Sequence, residues 1–189
     1  MYAMRLTYLN EVDLNEKQQA VLDAIATGPR GAGMGMAGPF GVFVRAPHLG
    51  DPAQRLGGRI RFRTSLPENL KEVAICTVGA FHQSKFEFAA HDRLAQAAGV
   101  STAPLAQLRR GETPDFEGDE ALAWQVADQL LNLHRIDDAT YQAMVDVIGE
   151  DQMIELVMTV GYYCLISHTL NAFQIQVTDQ MTDPFPDMP

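Results

Sequence analysis

The sequence predicts an all-α chain, on three observations. Apolar residues recur at three- and four-residue spacing through most of its length. No segment alternates apolar and polar residues convincingly; Gln174 to Val177 does so for only four residues. Helix start and stop signals punctuate the periodic stretches.

Taken in order, Asn15 to Thr27 is a first helix, with Val21, Leu22 and Ile25 at helical spacing and Gly28-Pro29 ending it. Gly31 to Gly41 is rich in Gly and Met. It reads as a loop packed against something, or a flap over a pocket, because no Gly-Lys-Ser/Thr follows to make it a phosphate loop. Pro39 to Arg45 and Asp51 to Arg63 are two further helices. Ser65-Leu66-Pro67-Glu68 then has the form of a capping box, predicting a helix through Leu70, Val73, Ala74, Val78 and Phe81.

A break is expected at His82-Gln83. Ser84 to Glu87 repeats the capping pattern, and the new helix runs to Ala98 and stops at Gly99. Ser101 caps a short helix through Leu108. Asp119 starts one carrying Ala123, Val126, Ala127, Leu130 and Leu131. Asp137 or Asp138 caps the next, which Gly149 closes. Glu150 to Phe173 is the longest and most apolar helix. The tail from Asp179 holds three prolines and is expected to be loosely ordered or draped on a neighbour.

About half of the 189 residues are apolar, enough for a real core. The net charge of −10 disfavours nucleic acid and anionic lipid as partners. The nearest approach to a basic cluster, Arg55, Arg59, Arg61 and Arg63, is short and reads as a solvated face or anion contacts. Cys76 and Cys164 sit in separate apolar runs, so they make no disulfide framework, and a reducing cytoplasm is the simplest setting. Met1 to Leu14 has no signal-peptide core, and the apolar run Leu156 to Ile166 is too short to span a bilayer.

Two candidate sites for chemistry stand out. Ser84, Glu87 and His91 fall within roughly 60° of one another on an ideal helix. Glu87 and His91, four apart, can meet, and a carboxylate beside an imidazole stabilises the imidazolium and fixes its tautomer. That pair can hold and deliver a proton. Equally, Glu87 can be the third residue of a capping box and His91 an ordinary, partly exposed partner. Glu72 would lie about 22 Å from Glu87 on one straight helix. It approaches only if the chain folds back at His82-Gln83; otherwise it is a solvent-facing acid. The five histidines show no metal-binding spacing, and no G-x-S-x-G elbow or low-pKa cysteine signature occurs. Trp124, Tyr162, Tyr163 and Phe173 read as core residues that can also line a cavity.

Leu66 to Ile75, Phe86-Glu87-Phe88-Ala89-Ala90-His91 with Leu94-Ala95 and Ala98-Gly99, Asp137 to Tyr141, and Gly161-Tyr162-Tyr163 through Phe173 together resemble the carboxymuconolactone decarboxylase family of the AhpD-like superfamily. The resemblance covers roughly residues 39–177. It leaves 1–38 as an N-terminal helix with the Gly/Met-rich loop, and 178–189 as a Pro-rich tail. It implies an oligomeric all-α AhpD-like bundle, as a homotrimer or homohexamer, acting on a small-molecule substrate without cofactor or metal. The thiol-dependent branch carries C-x-x-C-x-x-x-H, where this chain has Ser84 and Glu87, so that branch's peroxidase mechanism is expected to be lost. The histidine is retained as His91, and an upstream relay glutamate matches Glu72.

The resemblance thus implies a catalytic set of Glu72, Glu87 and His91. His91 would be the proton donor in a decarboxylation, Glu87 its orienting partner and Glu72 a relay. Arg63 and Arg45 are the sequence-level candidates for holding a substrate carboxylate. Two rival readings are a residual peroxidase and a non-enzymatic oligomer that binds a ligand.

Overall fold

The computed structural model describes residues 4–7, 9–31, 33 and 35–188. The expectations touching Met1 to Ala3, Tyr8, Ala32, Met34 and Pro189 lie outside the described residues. Among those described, the ordered elements are all helical. They are α1 (Glu16–Ala26), α2 (Phe40–Arg45), α3 (Pro47–Arg63), α4 (Glu68–Phe81), α5 (Lys85–Ala97), α6 (Thr102–Arg109), α7 (Gly118–Asn132) and α8 (Asp138–Ala172), preceded by a 3₁₀ turn at Glu11–Asp13.

α4 is the central element. It packs against α5, α7 and α8, and its residues from Leu70 to Gly79 are all buried. A helix buried all round belongs to the middle of a bundle. α1, α2 and α3 pack on one another beside this bundle.

Several starts differ from the sequence expectation. α3 begins at Pro47, four residues before Asp51. Proline is favoured in a first turn, and Pro52 is carried inside the helix. Ser65 does not cap α4. Its N–H and hydroxyl both donate to Glu155 Oε2 on α8, at 2.9 and 3.0 Å. Glu68 is drawn instead to Arg61 and to Lys71, the latter at 2.7 Å. The capping box was undone by charged partners that are distant in sequence or one turn away. Asn15 with Gln18 does form a capping box on α1, and Asp137 caps α8 by accepting from the Thr140 N–H.

Gly149, with φ +79° and ψ 166°, interrupts α8 where the sequence placed a stop. Such positive φ suits glycine, which has no Cβ to clash. By length and composition α8 would meet the requirement for a membrane span. Half of that apolar window is buried within the fold.

The tail is fixed on its own chain rather than loose. Phe185 is buried and packs edge-on against Phe88 of α5, with centroids 5.4 Å apart. Asp183 pairs with Lys85 at 2.9 Å.

Candidate functional site

The chain reverses between α4 and α5 in three residues. Gln83 takes a left-handed conformation (φ 49°), and the Ser84 N–H donates to the Gly79 carbonyl. This turn lays α5 back along α4 and brings Glu72 to His91. Ser84 precedes α5 but makes no capping bond. Its hydroxyl is buried without a partner among the described residues, and Glu87 is turned away from the helix end toward His91. Glu87 is therefore not a capping residue here.

His91 lies between two carboxylates. Nδ1 is 2.6 Å from Glu72 Oε2, and Nε2 is 3.0 Å from Glu87 Oε1. Arg61 of α3 closes the far end, with Nη1 3.3 Å from Glu72 Oε1. Charges thus alternate along Arg61, Glu72, His91 and Glu87. Relative exposures are 0% for Glu72, 4% for Glu87 and 7% for His91, which removes the solvent-facing alternatives for all three.

Burial pushes the imidazole toward its neutral form, but the Glu72 charge and hydrogen bond, reinforced by Glu87, outweigh it. The result is a His91 pKa of about 9. At neutral pH the ring is an imidazolium that donates from both nitrogens. The Tyr163 ring meets His91 edge-on at 4.9 Å and fixes its plane. Burial, aided by Glu87, holds the Tyr163 hydroxyl well above its ordinary pKa, so it stays neutral.

Glu87 and His91 line a cavity of about 350 Å³, and Glu72 lies beneath it. Its walls come from the start of α2, α3, α5, α8, the segment after α1, and Met181 of the tail. The size falls in the range of small-molecule sites, roughly 300–1,000 Å³. Apolar area comes from Phe40, Phe62, Phe86 and the two tyrosines.

Neither arginine singled out from sequence faces this cavity. Arg63 is exposed, because two residues along a helix from Arg61 is about 200° around the axis. Arg45 donates to the Thr7 carbonyl in the N-terminal segment. The cavity arginines are Arg30, Arg61 and Arg93. Arg61 was visible only as one member of a basic run. Arg30 follows a Gly-Pro stop and carries no local signal, because its role comes from tertiary packing.

The two cysteines are far from thiol chemistry. Cys76 is fully buried and unpaired, and burial together with Glu72 pushes its thiol well up. Cys164, half-buried on α8, is also raised by burial. Among the described residues no group of His, Cys, Asp and Glu side chains is arranged to hold a metal.

No family model matches the chain. No curated protein matches it either. Among solved structures it is similar to an alkylhydroperoxidase AhpD core from Ralstonia eutropha JMP134, an uncharacterized peroxidase-related protein. The TM-score is 0.74 over 94% of this chain and 93% of that one, at 12% identity. At that identity the likeness is one of fold. The chain has the AhpD-like all-α fold.

Proposed function

We propose that this chain is an enzyme that moves a proton on a small carboxylated lactone or related organic acid, in the manner of a carboxymuconolactone decarboxylase. The observation that carries this reading is an imidazolium clamped between Glu72 and Glu87 at the wall of a cavity edged by arginines. A proton donor with a pKa of about 9 is loaded at neutral pH, yet can release its proton to a carbanion.

In the step envisaged, the bond between the substrate carbon and its carboxyl group breaks and carbon dioxide leaves. The electron pair stays behind and spreads onto a conjugated carbonyl oxygen as an enolate. A cavity cation stabilises that oxygen, where charge develops. The Nε2 proton of His91 then moves to carbon. Glu87, beside Nε2 and facing the cavity, steps aside or passes the proton on. Glu72 keeps Nδ1 protonated and preserves the ring orientation. The neutral imidazole regains its proton from water, and no cofactor is needed for atoms or electrons to balance.

The peroxidase reading draws on the name of the structural neighbour. It requires an accessible thiolate, and both thiols here are pushed toward the protonated form. Peroxide consumption that disappears in a Cys76→Ser, Cys164→Ser double variant would favour it. A purely ligand-binding role is disfavoured by the burial of Glu87 and His91.

Self-association belongs to the same proposal. Ile154, Val157, Met158 and Leu165 leave an exposed apolar stripe on α8, suited to a homotrimer or homohexamer. Sedimentation of the purified protein measures it, and a monomer at micromolar concentration would count against it.

The direct test is a screen of small carboxylated lactones for carbon dioxide release, followed by His91→Ala. Loss of turnover with unchanged helical content is expected. Full activity in that variant would remove the reading.

A further inference from the structure

Arg30 is held in an unusual way for a cation. Its guanidinium stands 5.1 Å from the centroid of the Phe40 ring and 5.8 Å from that of Phe62. Nη1 donates to the Gln54 carbonyl at 3.2 Å. It rests on a glycine surface of α3. A Cβ at Gly57 would come within 3.0 Å of Nη2 and 2.1 Å of the Tyr162 hydroxyl oxygen, and one at Gly58 within 3.2 Å of Nη1. Two aromatic faces, a carbonyl and two bare α-carbons therefore fix a planar fork in place.

Among the described residues no acid lies in ion-pair contact with that fork, and Glu87 acts on it only from farther off. Among the described residues Arg30 makes no ion pair, whereas Arg61 is occupied by Glu68 and Glu72. Arg93, the remaining cavity arginine, is exposed and solvated at the rim. Half-burying a cation without a counter-charge in contact costs free energy that an incoming anion can recover. Consistent with that, burial lowers the Arg30 pKa from its ordinary value. Of the five N–H donors on a guanidinium, one is used among the described residues. The remaining edge suits the two oxygens of a carboxylate, which arginine binds bidentately.

We propose that Arg30 is the carboxylate-recognition residue of the cavity and that its ligand is a small organic monoanion with a flat, unsaturated body. The carboxylate meets the guanidinium, and the flat body lies along Phe40 and Phe62, leaving its far end toward Glu87 and His91. The assignment rests on the reading of this cavity as the substrate site. It adds that recognition comes from the segment preceding α2, while proton chemistry comes from α4 and α5.

Benzoate and its neutral isostere benzamide are the probes, titrated calorimetrically into the full-length protein at low ionic strength. Benzoate is expected to bind at millimolar concentration or better, and benzamide at least about tenfold more weakly. Arg30→Gln should weaken benzoate by at least about tenfold and erase the preference over benzamide. Arg30→Lys, which keeps the charge but loses the fork, should fall between the two. Thermal melts confirm that each variant is folded.

His91→Gln should still bind benzoate, so a failure of the proton-transfer proposal would leave this result standing, and the reverse also holds. Undiminished benzoate binding by Arg30→Gln would overturn the assignment. So would equal affinity for the two probes, or no benzoate binding by the folded wild type.

Discussion

Two cavities flank α5, and the larger one is chemically the poorer. The cavity between α5, α6 and the tail measures about 440 Å³, against about 350 Å³ on the His91 side. Its acid, Asp92, is half-buried and bonded to Gln96 one turn away, an ordinary helix-surface pair. On the other side, Glu87 and His91 are joined by a third group, Glu72, from a separate helix. Volume does not distinguish the two. Convergence of opposite charges from different elements does, because only that arrangement holds a proton at a defined atom.

The sharpest way to break this comparison is Glu72→Gln. It keeps the shape and removes the charge that contributes most to holding the imidazolium. Turnover should fall about 10²- to 10⁴-fold, the usual range for losing a positioned acid–base group. An NMR titration of the His91 ring should show its pKa drop from about 9. An unchanged titration would mean that Glu72 is a packing residue only.

The second effect is on stability against pH. His91 titrates at about 9 in the fold and near 6.5 when unfolded, so the folded state binds the proton more tightly. The contribution is fully present below about pH 6.5 and is lost as pH rises through about 9. The shift bounds it at about 3 kcal/mol. Urea melts of wild type and His91→Gln between pH 6 and 10 should converge toward the alkaline end by up to that amount. Parallel curves would sink the clamped imidazolium.

The bundle and this relay were legible in sequence for different reasons. Helix periods and stops are local, so α1, α4, α5 and the break at Gly149 could be read from residue order. The Glu87–His91 pair needed only helical spacing. Glu72 needed a chain reversal that the His82-Gln83 break signalled, together with a family spacing. The capping boxes at Ser65 and Ser84 do not form because other partners hold Ser65 and Glu87, one distant in the chain and one a single turn along the same helix. Ser65 went to Glu155, and Glu87 went to His91. Arg30 was illegible, since its neighbours Phe40, Gln54, Gly57 and Phe62 are assembled only by packing α3 against the segment after α1.

Gly57→Ala gives the next smaller effect and tests how far the His91-side wall depends on close approach. The added methyl would press on the Tyr162 hydroxyl, which donates to the Ala53 carbonyl at 3.0 Å, and on the Arg30 fork. Overpacking of this kind costs about 1–3 kcal/mol. Denaturant melts measure it. A neutral outcome would show that Tyr162 and Arg30 shift without strain, and that the glycine surface is not what sets them.

The smallest effect is expected at Asp92, and it closes the comparison from the other side. Burial raises its pKa, with the Gln96 hydrogen bond and the Arg109 charge opposing. A carboxyl raised in the fold binds its proton more tightly folded than unfolded. Its charge is therefore a slight cost above that raised pKa, relieved as pH falls through it. Asp92→Asn removes the charge and keeps the shape. At neutral pH it should be neutral or slightly stabilising, within about 0.5 kcal/mol, with His91 still titrating at about 9. Turnover should be unaffected, because Asp92 bonds to Gln96 and does not line the His91-side cavity. If Asp92→Asn instead lowered activity as far as Glu72→Gln does, the larger cavity would share the chemistry, and the contrast between the two faces of α5 would fail.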